Sequence, residues 1–152
     1  MDSEKAKAVL RAILNRAEGK VGRFIRIKEL AATPAFTMEG ADVVVEELLS
    51  LHWLYKKGNS LCISRWGVEY AIEWADAKRV LRTISTVAGG RGGKVVAYAD
   101  VVTAAGLRPE ETDRLVSELS VLGLADRGGR GAQFVYVSID GLRRLAGEVS
   151  NK

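Results

Sequence analysis

The chain repeats itself, and that repeat constrains its fold more than any single motif. Shifted by 71 residues, Lys7-Ala8-Val9-Leu10-Arg11-Ala12-Ile13 aligns with Lys78-Arg79-Val80-Leu81-Arg82-Thr83-Ile84. The same register pairs Gly19 with Gly90, Gly22 with Gly93, Glu39 with Glu110 and Asp42 with Asp113. It continues through Glu47-Leu48 and Glu118-Leu119, Leu51 and Leu122, and Gly58 and Gly129. Beyond that point the offset becomes 74, so that Ser64-Arg65-Trp66-Gly67 meets Ser138-Ile139-Asp140-Gly141. A register that holds this long and breaks only inside a Gly-rich turn is the mark of a duplication. The 152 residues are therefore expected to form two small domains, 1–75 and 76–152, each near the lower size at which a hydrophobic core suffices.

Each copy carries the same physical pattern. Ala6, Val9, Leu10, Ile13 and Leu14 recur at helical spacing, as do Val80, Leu81, Ile84 and Val87. Gly19 and Gly22 are expected to end the first helix, as Gly89-Gly90 end its counterpart. A short β-prone run follows (Phe24-Ile25 or Val95-Val96), then a brief helix near Lys28–Ala32 or Ala99–Ala104. Thr37 reads as the N-cap of a third helix with Glu39 in its first turn, and Pro109 as the first residue of the matching helix. Val44, Val45, Leu48, Leu49 and Leu51 are expected to face the core, matched by Leu115, Val116, Leu119 and Leu122.

Two hairpins complete the pattern. Leu54-Tyr55-Lys56 and Leu61-Cys62-Ile63 flank Lys57-Gly58-Asn59-Ser60, and Leu124-Ala125-Asp126 and Phe134-Val135-Tyr136-Val137 flank a Gly-rich turn at 127–132. Ser64 and Ser138 are placed to cap a last helix in each copy. From Val68 onward neither Gly nor Pro interrupts the join, and Tyr70, Trp74, Ala77, Leu81, Ile84 and Ala88 form one apolar stripe. One helix running from the first copy into the second is the expectation.

The order helix, strand, helix, helix, hairpin, helix resembles the winged-helix-turn-helix superfamily. Leu51-His52-Trp53-Leu54 and Leu122-Gly123-Leu124 before the hairpins, with Ser-x-x-Gly after them, look like the MarR-type and related prokaryotic regulators. The resemblance covers nearly the whole chain and implies two tandem winged-helix domains, mainly α with small β wings. It implies much less about function, since this fold serves DNA readers, protein adaptors and enzyme appendages alike.

The chemistry of the side chains argues against catalysis. Cys62 is the one cysteine and His52 the one histidine, so neither a multi-cysteine metal site nor a His-based relay can assemble within one chain. Gly89-Gly90-Arg91-Gly92-Gly93-Lys94 lacks both the spacing and the Ser or Thr of a nucleotide-binding loop. It could still lay backbone amides, Arg91 and Lys94 on phosphates. Neighbouring carboxylates such as Glu46-Glu47 point apart on a helix. No enzyme, cofactor or metal is expected. The absence of a signal sequence or long apolar run leads to a cytoplasmic expectation. Only four Asn and Gln residues occur in the chain, which leans toward a thermophilic source.

Charge is where the sequence speaks about partners. Lys5 to Lys28 carries eight basic residues against Glu18 alone, whereas Glu29 to Tyr55 carries five acidic residues and no Lys or Arg. Glu39, Asp42, Glu46 and Glu47 make the third helix of the first copy a poor reader of the major groove. The leading expectation is a nucleic-acid-binding protein, a transcription regulator or chromatin-type factor, holding double-stranded DNA by its backbone. The contacts expected are Lys56, Lys57, Arg127 and Arg130 on the wings, Arg91 and Lys94 in the Gly-rich loop, and Arg108 and Arg114 on the third helix of the second copy. The alternative is a protein-interaction adaptor whose acidic third helices dock a basic partner.

Overall fold

The computed structural model describes residues 2–128 and 133–150. The chain divides into two compact units, Met1–Ile72 and Glu73–Lys152. The first contains α1 (Ser3–Arg16), β1 (Ile25–Arg26), α2 (Ile27–Leu30), α3 (Pro34–Thr37), α4 (Ala41–Ser50), β2 (Leu54–Lys57), β3 (Ser60–Ile63) and α5 (Arg65–Ala71). The second contains α6 (Trp74–Val87), β4 (Val96–Ala97), α7 (Tyr98–Ala105), α8 (Pro109–Val121), β5 (Ala125–Gly128), β6 (Phe134–Val137) and α9 (Ile139–Ser150). The architecture is mixed α+β, with helices around two small antiparallel sheets of order β1-β3-β2 and β4-β6-β5. Among the described residues no helix is long and apolar enough to cross a membrane.

Each core forms on the helical stripes seen in the sequence. Ala6, Val9, Leu10, Ile13 and Leu14 of α1 are all sealed from solvent, as are Ala77, Val80, Leu81 and Ile84 of α6. Val44 and Leu48 of α4 also face inward, but Leu51 is 46% exposed. The reason is local. Leu51 caps α4, and the chain turns at His52 in the left-handed region, with φ +60°. The His52 amide donates to the Leu49 carbonyl and the Trp53 amide to that of Leu48, the two bonds of a Schellman ending. Gly123 and Leu124 close α8 with the same two bonds, to Ser120 and Leu119. The end of α1 repeats the device with Glu18 at φ 56°, where the end of α6 uses Gly89 at φ 67°.

Those pairs make a prediction. Glu18 and His52 hold a backbone conformation that costs an L-residue about 1 kcal/mol and costs glycine almost nothing. Glu18→Gly and His52→Gly should each raise stability by roughly 0.5–1 kcal/mol, partly offset by the greater freedom of glycine in the unfolded chain. Urea denaturation checks it, and a lower midpoint in both variants would count against the strain.

Two sequence expectations are corrected. The third helix of the first unit does not begin at Thr37. Pro34–Thr37 forms its own short turn, with the Thr37 hydroxyl donating to the Pro34 carbonyl, and α4 starts after Gly40 at φ +79°. Glu39 therefore precedes that helix instead of lying in its first turn. Nor does one helix run through the join: Ile72 is extended, with ψ 140°, and Glu73 opens a new helix. The apolar stripe is two stripes placed end to end. Tyr70 stacks on Trp53 at 4.5 Å within the first unit, while Trp74 lies under the Arg144 guanidinium at 4.5 Å within the second. Each aromatic is held by its own unit's packing.

Candidate nucleic-acid interface

The hairpin of the first unit is built by a two-residue turn. Lys57 and Ser60 are cross-strand partners, leaving Gly58 and Asn59 as the turn, and Gly58 takes the φ of +59° such a turn requires. The other edge of β3 is covered by β1, which pairs Ile25 with Leu61 and Arg26 with Ser60. Directly opposed residues share a face of a sheet. Arg26, Ser60 and Lys57 consequently stand in one row across all three strands, while Ile25, Leu61, Ile63 and Leu54 face the core.

The row opens into a concave site at the hairpin end. The Ile27 amide donates to the Asn59 carbonyl at 2.8 Å, fixing the turn against the start of α2. A cavity of about 540 Å³ is lined there by Arg26, Ile27, Lys28, Asn59 and Ser60. Arg26, Lys28, Lys56 and Lys57 are all exposed, and among the described residues no carboxylate is in the lining. Glu29, the nearest acid in sequence, is engaged by Arg16 at 3.5 Å. Arg26 and Lys28 in the lining, with Lys57 in the adjoining row, give this end of the sheet a positive potential that attracts an anion.

The equivalent end of the second unit is built differently. Ala97, Ala99 and Gly128 stand where the first unit has Arg26, Lys28 and Lys57. Arg127 lies 3.8 Å above the Tyr98 ring, and its Nη1 sits 3.4 Å from Oδ1 of Asp113. The Tyr98 hydroxyl donates to the same carboxylate oxygen. Burial, then the Asp113 hydrogen bond and charge, raise the Tyr98 hydroxyl above its ordinary range, and Arg127 opposes them. Arg127 is thereby held by a ring and a carboxylate within its own unit.

The remaining candidate residues are dispersed. Arg114 is half-buried and lies 3.6 Å from the fully buried Glu118 one turn on. Arg108 immediately precedes α8 and is exposed, 3.9 Å from Glu110. Arg91 and Lys94 are exposed in the Gly-rich loop, but that loop meets the far end of β6 from the hairpin turn. Its Gly93 amide donates to the Val137 carbonyl at 2.8 Å, and Gly92 packs closely on Leu142. One of the loop's backbone amides is thus used by the sheet. Arg130 lies outside the described residues.

Sequence reasoning placed Lys56 and Lys57 at this end of the sheet but did not single out Arg26 and Lys28. They were visible only as members of a basic run. Nothing local marks them, because their meeting with Lys57 depends on β1 pairing with a strand more than thirty residues away. No protein-family model matches this chain, and no curated protein or solved structure matches it.

Proposed function

We propose that this chain is a nucleic-acid-binding protein made of two tandem winged-helix domains related by internal duplication, a transcription regulator or chromatin-type factor that grips the phosphate backbone. The single observation that carries the reading is the open row of Arg26, Ser60 and Lys57 at the hairpin end of the first unit, bordered by Lys28. Apart from the extra turn α3 in the first unit, the order of helices and strands repeats, and with the matching sheet orders it supports the duplicated winged-helix part. Long cationic arms, a hydroxyl and a shallow concave floor suit phosphate oxygens, and none of these groups is placed to read one base edge. Binding should therefore be tolerant of sequence and steep in salt.

The test is a fluorescence-anisotropy titration of random-sequence duplex DNA across a salt series. Replacing Arg26, Lys28 and Lys57 together with alanine should weaken binding at least about tenfold, equally for all sequences, and lower the salt slope by roughly one per lost phosphate contact. Arg127→Ala should have a far smaller effect, since that guanidinium is already engaged by Tyr98 and Asp113. Full retention of affinity in the triple variant would remove the hairpin from the interface.

A second reading rests on α4. Its outer face presents Asp42 and Glu46 beside Val43, which is 57% exposed. An acidic helix with an apolar centre suits a basic protein partner, and the chain would then act as an adaptor. The same titration separates the two: an adaptor binds no duplex even at low salt.

A further inference from the structure

We propose that the outer face of α6 is a second phosphate-tracking groove, through which the second unit contacts nucleic acid in place of its hairpin. The inference rests on the nucleic-acid reading above and adds a surface that reading does not need. Ala77, Val80, Leu81 and Ile84 turn one side of α6 fully into the core. The opposite side forms the floor of a groove of about 860 Å³, lined by Lys78, Arg79, Arg82, Thr83, Thr86 and, from α7, Ala104 among others.

Arg79, Arg82, Thr83 and Thr86 follow helical spacing, so they lie along one strip. Arg79 and Arg82 are exposed, and among the described residues no carboxylate is in the lining. Like charges three residues apart on a helix disfavour it slightly, and neither arginine belongs to the buried core of α6. The strip extends over about two turns and is open to solvent. That shape suits an extended polyanion better than a compact one, which would need donors enclosing it. Thr83 donates its hydroxyl to the Arg79 carbonyl at 2.8 Å, which leaves Thr86 as the hydroxyl turned outward.

The first unit lacks this arrangement. Ala8 stands at the position of Arg79, and Arg11, the counterpart of Arg82, donates to Asn15 at 3.0 Å. The difference lies in placement: α6 has Arg79 beside Arg82 on its outer strip where α1 has Ala8 beside Arg11, and in the same unit Arg127 is held by Tyr98 and Asp113.

The test uses the full chain and the same random duplex over a salt series. Arg79→Ala combined with Arg82→Ala should weaken binding at least about tenfold at low salt and reduce the salt slope by roughly two. The Arg79→Lys, Arg82→Lys pair should restore most of the loss, because a phosphate accepts either cation. The alanine pair should melt at the parent temperature or above it, since alanine favours helix and the like-charge contact is gone. Unchanged affinity in that pair, with binding lost in the Arg26, Lys28, Lys57 variant, would overturn the α6 groove and leave the proposed function standing. Loss in the α6 pair with no loss in the hairpin variant would support the groove and remove the hairpin. A parent chain that binds no duplex at low salt would overturn both.

Discussion

Gly67→Ala and Gly141→Ala are each expected to destabilise the unit that carries them by about 3 kcal/mol, beyond the usual range for surface substitutions. Both glycines lie in the first turn of a helix capped by the serine three residues earlier, whose hydroxyl accepts from the glycine amide. That serine also donates back to the turn ending the third helix, Ser64 to the His52 carbonyl at 2.7 Å and Ser138 to the Gly123 carbonyl at 2.6 Å. The bonds draw the helix start onto backbone. A methyl group on Gly67 would sit 2.6 Å from the Trp53 carbonyl oxygen and from Ile63 Cγ1, and one on Gly141 would overlap the Leu124 carbonyl oxygen. Neither backbone can retreat without breaking the serine bonds. For domains of this size the loss should lower the melting temperature by more than about 10 °C. Gly147→Ala, where a methyl meets nothing within 4 Å, serves as the control. A Gly141→Ala variant melting alongside that control would mean the helix can move away at little cost.

The second large effect is expected at Arg114. Glu118 is fully buried on α8, and the Arg114 guanidinium approaches it at 3.6 Å with 34% of its side chain exposed. Arg114→Leu keeps the hydrophobic stem but removes that counter-charge from a carboxylate already taken out of water. Breaking a buried pair from one side costs about 3–5 kcal/mol, and the partial exposure of Arg114 brings the expectation to about 2–3 kcal/mol. Replacing both residues with apolar ones, as Arg114→Leu with Glu118→Leu, should recover much of the loss, because no charge then remains inside. Urea denaturation of the two singles and the double provides the cycle. A double variant no better than Arg114→Leu alone would show that the pair is not what holds α8.

Arg114 also illustrates what a sequence reading can and cannot reach. Residue type alone makes it a candidate DNA contact on the third helix of the second copy. A helix has an inner and an outer face, and the burial of Glu118 draws Arg114 against it. Arg127 differs in the same way from Lys56, its counterpart: the ring of Tyr98 and the carboxylate of Asp113 reach it from α7 and α8, and only packing those elements together reveals it.

Features with local causes can be read along the chain. The helical stripes of α1 and α6 follow from a period of 3.6 residues, Pro109 opens α8 because its missing amide is not needed there, and Ser64 and Ser138 cap because their hydroxyls reach an amide three residues on. The repeat and both hairpins were equally legible, since turn residues sit between β-prone runs. The rest depended on how distant elements pack. Thr37 lost its capping role to a separate turn, and Ile72 broke a join that carries no Gly or Pro, because Tyr70 and Trp74 each pack within their own unit. The basic row of Arg26 and Lys57 exists because β1 pairs beside β3. Pairing of that range is set by burying Ile25, Leu61 and Ile63 on one side, and the charges on the other side come together as its consequence.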